Sequence, residues 1–97
     1  MASILPPVHP GEILREEYLR PLDMSAGALA RALNVPRTRI ERLASEQTAI
    51  TPDTALRLAR FFGTSPEFWM AMQAGYDIKV AAAAIKDEIA RIKVRAA

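Results

Sequence analysis

Between Ser25 and Ser45 two runs of apolar residues at helical spacing are separated only by Asn34-Val35-Pro36, and so short a connection forces two helices to fold across one another. Ala26, Leu29, Ala30 and Leu33 line the first run, and Ile40, Leu43 and Ala44 the second. Asn accepts the left-handed backbone conformation more readily than most residues, and Pro opens a helix without wasting a backbone donor. Val35 is then placed to cover the small core. On a helical wheel the positions opposite the second stripe are Thr38, Arg42 and Ser45, flanked by Arg39 and Glu41, with Arg37 in the first turn. The pattern is a helix-turn-helix whose second helix presents a face fit for DNA.

Charge supports that reading through its distribution. The net charge is only +2, but residues 25–60 carry six arginines against Glu41, Glu46 and Asp53, a balance of +3. Residues 1–24 come to −2, and the remainder to +1. Arginine pairs bidentately with phosphate or with the O6/N7 edge of guanine, whereas lysine acts as a point charge. At 97 residues the chain closes one core and no second. It has no cysteine, so a disulfide framework and a thiolate metal site are both excluded. No uncharged run approaches the length of a membrane span, and no basic region precedes an apolar stretch at the N-terminus, so cytoplasmic residence is the expectation.

The rest of the chain reads as helix throughout. A first helix is predicted from Pro10 to Arg20, with Ile13, Leu14 and Tyr18 inward and Pro21 ending it. The second covers Ser25 to Leu33 with Ser25 as cap, and Gly27 inside it costs about 1 kcal/mol relative to Ala. The third spans Arg37 to Ala44. Thr51-Pro52-Asp53 announces a fourth that ends at Gly63, with Ala55, Leu56, Ala59 and Phe62 inward and Arg57 and Arg60 outside. Ser65-Pro66-Glu67 repeats that signal, and Phe68, Trp69, Met72 and Tyr76 should close the core.

Beyond Tyr76, Ile78, Ala82, Ile85, Ile89, Ile92 and Ala96 follow a spacing of 3.5 residues, a narrow seam suited to a partner helix and to self-association. Asp87 and Arg91 form an i,i+4 pair outside it. The expected organisation is a mobile lead-in over residues 1–9, a helix-turn-helix domain over 10–76 and an additional C-terminal helix over 77–97.

These residues resemble the HigA-type antitoxins, also described as VapI-like, a branch of the lambda-repressor-like (XRE) helix-turn-helix proteins. The match is carried by His9-Pro10-Gly11-Glu12-Ile13-Leu14-Arg15-Glu16-Glu17, by Leu29–Leu33 with Ile40–Leu43, and by Ile50–Ala59 running on through Gly63–Trp69. It implies an all-α, five-helix repressor domain that dimerises, binds a palindromic operator in its own promoter and neutralises a small basic ribonuclease toxin of the HigB or RelE kind. Relatives commonly carry Ser where this chain has Pro36 and Gly where it has Glu46. The first change removes a side-chain cap. The second sets a negative charge in a loop expected along the DNA backbone.

From the helix-turn-helix, Arg37, Thr38, Arg39 and Arg42 are expected to read bases in the major groove, and Ser25, Ser45, Gln47, Thr48 and Thr54 to contact phosphates. Glu12, Glu16 and Glu17 offer a docking surface for a basic toxin, or else pair with Arg15 and Arg20 along one helix. The dimer seam would be Ile78, Ala82, Ile85, Ile89 and Ile92, although the fifth helix could equally form the interface. His9 reads as a helix-entry residue, and with no second histidine and no Gly-rich phosphate loop, no cofactor, metal or enzymatic activity is expected. The alternatives are a stand-alone transcription regulator, or an interaction module in which DNA affinity has been lost.

Overall fold

The computed structural model describes residues 6–96, so most of the expected lead-in lies outside the described residues. The elements are α1 (Pro10–Ile13), a π-helical segment (Leu14–Leu19), α2 (Ala26–Leu33), α3 (Arg37–Ala44), α4 (Pro52–Phe62), α5 (Pro66–Ala84) and α6 (Lys86–Ala90), with no strand among the described residues. Four start signals act as their chemistry dictates. The side chains of His9, Ser25, Thr51 and Ser65 accept backbone N–H bonds at the starts of α1, α2, α4 and α5.

His9 corrects the lead-in boundary. It is buried, its Nδ1 accepts from the Gly11 N–H at 2.9 Å, and its ring meets Tyr76 edge-on with centroids 4.8 Å apart. The first helix also departs from the expected α-helix between Pro10 and Arg20. After one α turn the bonding widens to i→i+5, with the Arg20 N–H on the Arg15 carbonyl and the Met24 N–H on that of Leu19. The wider turn buries Leu14 and Leu19 together, five positions apart, where an ideal α-helix would separate them.

Leu14, Leu19, Leu29, Ile40, Leu43 and Leu58 share one buried core with Trp69, which is fully buried. Its ring lies 5.1 Å from Tyr18 and 6.2 Å from Phe62 by centroids, and its Nε1–H donates to Thr64 Oγ1 at 2.8 Å. Gly11 makes the close packing of α1 on α3 feasible, since a Cβ there would stand 1.9 Å from the Leu43 carbonyl oxygen. Two inward assignments and one outward one are corrected. Leu56 is 58% exposed, its place taken by Leu58; Phe68 is 40% exposed; and Arg57, expected outside, folds back onto α2. Each error comes from assigning a face before the direction of the neighbouring helix is known.

The far end differs most from expectation. No boundary falls at Tyr76, because α5 runs unbroken to Ala84. The bend comes at Ile85 (φ −117°, ψ 24°), and α6 ends at Ala90, so Ile92 lies beyond the helix and the seam is not one straight stripe. Residues 80–96 are all exposed. The radius of gyration is 16.2 Å, against about 12.5 Å for a compact chain of this length, which reflects that projecting end. No helix among the described residues is long and apolar enough to cross a membrane.

Candidate nucleic-acid interface

The turn before α3 adopts the conformation its residues favour. Asn34 is left-handed (φ 59°, ψ 48°) and closes α2, with its N–H on the carbonyls of Ala30 and Arg31. α3 starts at Arg37 as expected, with Pro36 at its N-cap, where it makes no side-chain cap. The N-terminal end of α3 therefore keeps backbone donors without a side-chain partner.

α3 turns Ile40, Leu43 and Ala44 into the core and leaves Arg37, Thr38, Arg39, Glu41, Arg42 and Ser45 exposed. All four expected base-reading residues thus share the outer face. Their partners differ. Arg37 lies 3.4 Å from Glu41 one turn along, and its stem crosses the start of α2, where a Cβ on Gly27 would meet Arg37 Cδ at 3.0 Å. Arg39 pairs with Asp53 on α4. Arg42 has no ion-pair partner among the described residues. Exposed pairs contribute roughly 0–1 kcal/mol, so the Arg37–Glu41 contact is readily exchanged for a phosphate or a base.

Around this face lie the expected phosphate-contact residues. Ser25 is exposed at the N-terminus of α2, where its Oγ accepts from the Ala28 N–H at 3.0 Å. Ser45 and Gln47 are exposed and Thr48 is half-buried in the loop after α3. Thr54 does not join them. It is only 4% exposed, with its hydroxyl against that of Thr51 at 3.3 Å, because position 54 falls on the inner side of the first turn of α4.

The loop is braced from both sides. Gln73, buried in α5, accepts from the Ile50 N–H at 2.7 Å and donates to Asp77 at 3.0 Å. Arg15 donates to the Ala44 carbonyl at the end of α3 and to Glu46 at 3.2 Å. Hydrogen bonds to Glu16 first, and then to Glu46, hold the Arg15 guanidinium above its ordinary pKa against the opposing effect of desolvation. Glu46 itself adopts φ 66°, a conformation glycine takes without strain, and its carboxylate is paired with Arg15. Gln73 and Arg15 were both missed as site residues, since each acts across more than twenty positions of sequence.

Of the acidic set on the first helix, Glu12 and Glu17 are exposed, whereas Glu16 is engaged at 3.0 Å by both Arg15 and Arg20. Ile78, Ala82, Ile85, Ile89 and Ile92 are all exposed. Among the described residues no group of three or more His, Cys, Asp and Glu could hold a metal ion.

Comparison with known proteins places this geometry. The helix-turn-helix family matches residues 14–69. Virulence-associated protein I of Dichelobacter nodosus is 56% identical over 77 residues, covering 79% of this chain and 71% of that protein. The Pseudomonas aeruginosa antitoxin HigA, solved with the higBA promoter, superposes with a TM-score of 0.86 at 45% identity, over 90% of this chain and 96% of that one. Antitoxin GraA in complex with its operator gives a TM-score of 0.90 at 38% identity, over 100% and 99%. With its lambda-repressor-like fold and this match over more than half its length, the chain belongs to the helix-turn-helix family, in its HigA-type branch.

Proposed function

We propose that this chain is a DNA-binding antitoxin that represses its own operon by inserting α3 into the major groove of the operator. The observation that carries the reading is the outer face of α3, where Arg37, Thr38, Arg39 and Arg42 stand clear of the core beside the exposed start of α2. Thr38, Arg39 and Arg42 reach base edges, and Arg37 works at the first turn. Ser25, Ser45, Gln47 and Thr48 hold the backbone. The operator complex of GraA and the promoter complex of HigA support this use of the fold.

Two copies are needed to read a palindrome, with recognition helices about 34 Å apart. The exposed Ile78, Ala82, Ile85 and Ile89 supply apolar surface for that pairing. A small basic toxin of the HigB or RelE kind is the second partner, with Glu12 and Glu17 as its first contacts and Glu16 contributing only after release from Arg15 and Arg20.

The test is fluorescence-anisotropy binding to the duplex upstream of the coding region against a scrambled duplex, across a salt series. Selective binding with a steep salt dependence is expected, and Arg42→Ala should cost about 1–3 kcal/mol on the upstream duplex and much less on the scrambled one. Equal binding of both duplexes at low salt would overturn the reading.

A further inference from the structure

Three charged side chains meet at the edge of the groove between α3 and α4. Asp53, in the first turn of α4, accepts through Oδ2 from Arg39 Nη1 and from Arg57 Nε, the latter at 3.0 Å. Arg57 is itself held: its Nη1 donates to the Leu33 carbonyl at 2.8 Å and to that of Asn34 at 3.4 Å, where α2 ends. A relay of hydrogen bonds therefore begins on the turn of the helix-turn-helix and ends on a guanidinium of the exposed face of α3.

An arginine on an open helix face must fix several side-chain torsions before its fork can meet a base edge, and that ordering opposes binding. Arg39 enters such a contact partly ordered. A guanidinium has five N–H donors, and one Nη1 bond to Asp53 leaves Nε and Nη2 for a bidentate contact. Its neighbours lack this support, since the partner of Arg37 is on α3 itself and Arg42 has none among the described residues. Two arginines against one carboxylate also leave the cluster positive toward DNA. Hydrogen bonds from Arg57 first, and then Arg39, hold the Asp53 carboxyl below its ordinary pKa, so it is ionised at neutral pH.

We propose that Asp53, anchored by Arg57, is a positioning residue that aims Arg39 at a base edge and keeps it off the phosphates. The proposal rests on the DNA-reading role of α3 given above. Asp53→Ala is therefore measured with Arg39→Ala and the double variant on the upstream and scrambled duplexes, with thermal melting to confirm folding. Asp53→Ala should weaken upstream binding roughly tenfold while leaving the scrambled duplex unchanged or bound somewhat more tightly. In the Arg39→Ala background the same change should have almost no further effect on upstream binding. Equal tightening on both duplexes would reduce Asp53 to a charge that repels phosphate, and an undiminished loss in the Arg39→Ala background would reduce it to a structural residue; either result overturns the proposal. Nitrogen-15 relaxation of the Arg39 Nε–H, recorded without DNA, separates the positioning from the DNA reading. Restraint in the wild type and release in Asp53→Ala are expected; equal mobility in both overturns the positioning role, even if the wild type discriminates between the duplexes.

Discussion

The two halves of α5 share one unbroken helix and have opposite surroundings. Up to Tyr76 it buries Trp69 and Gln73 and half-buries Met70, Met72 and Tyr76; from Val80 to its end at Ala84 every residue is exposed. The first half is held by tertiary contacts. The second persists because the helix is already nucleated and Ala81–Ala84 are strong helix formers, so that each added residue gains a hydrogen bond without a new nucleus. A helix can thus outrun the core that starts it, and Ile78 on it, with Ile85, Ile89 and Ile92 beyond it, is apolar surface that this fold leaves unburied.

The contrast breaks most visibly at Trp69. Trp69→Ala should cost about 3–5 kcal/mol in urea denaturation, because a ring in contact with Tyr18, Phe62 and Phe68 leaves a cavity in the middle of the domain. Gln73→Ala follows at about 1–3 kcal/mol, since the Ile50 N–H loses its acceptor in a buried site. Slower binding to DNA is also expected there, as the loop after α3 loosens. At the border between the halves, Gly75→Ala should raise stability by about 0.5–1 kcal/mol, because a helical Cβ there meets nothing within 4 Å.

Ile89→Asp tests the projecting end, in α6 beyond the outer half of α5. The thermal stability of the body should stay within about 0.5 kcal/mol of wild type, as for any exposed position, while sedimentation shifts toward a smaller species. A loss as large as that of Gln73→Ala would show that the projecting end is held by the body after all. The smallest effect concerns pH. Since the folded pKa of Asp53 is depressed, the stability its pairing contributes is present above the ordinary aspartate range and is lost only as pH falls through the lower folded value. A carbon-13 titration of the Asp53 carboxyl should therefore show a midpoint below that of an unpaired aspartate.

Local features were legible in the sequence because their causes are local. Ser25, Thr51 and Ser65 cap the helices they precede, Asn34 takes the left-handed turn, and Gly63 (φ 70°) ends α4. The outer face of α3 could be read for the same reason, since Ile40, Leu43 and Ala44 mark its opposite side. Faces on helices with several apolar residues were harder. In α4, Leu56 and Leu58 compete for the core, and only the position of α5 selects Leu58. The burial of Thr54, which removes it from the phosphate-contact set, follows from the same orientation.

The amino-acid order by itself determined where helices start and stop and which side of α3 stays outside, because capping, turn chemistry and helical periodicity act over a few residues. Tertiary structure alone decided the wide π turn that buries Leu14 with Leu19, the bracing of the loop after α3 by Gln73 and Arg15, and the ties among Asp53, Arg39 and Arg57. These contacts join residues from different helices, and a hydrogen bond between them exists only once the core has set the distance and direction from one helix to the next.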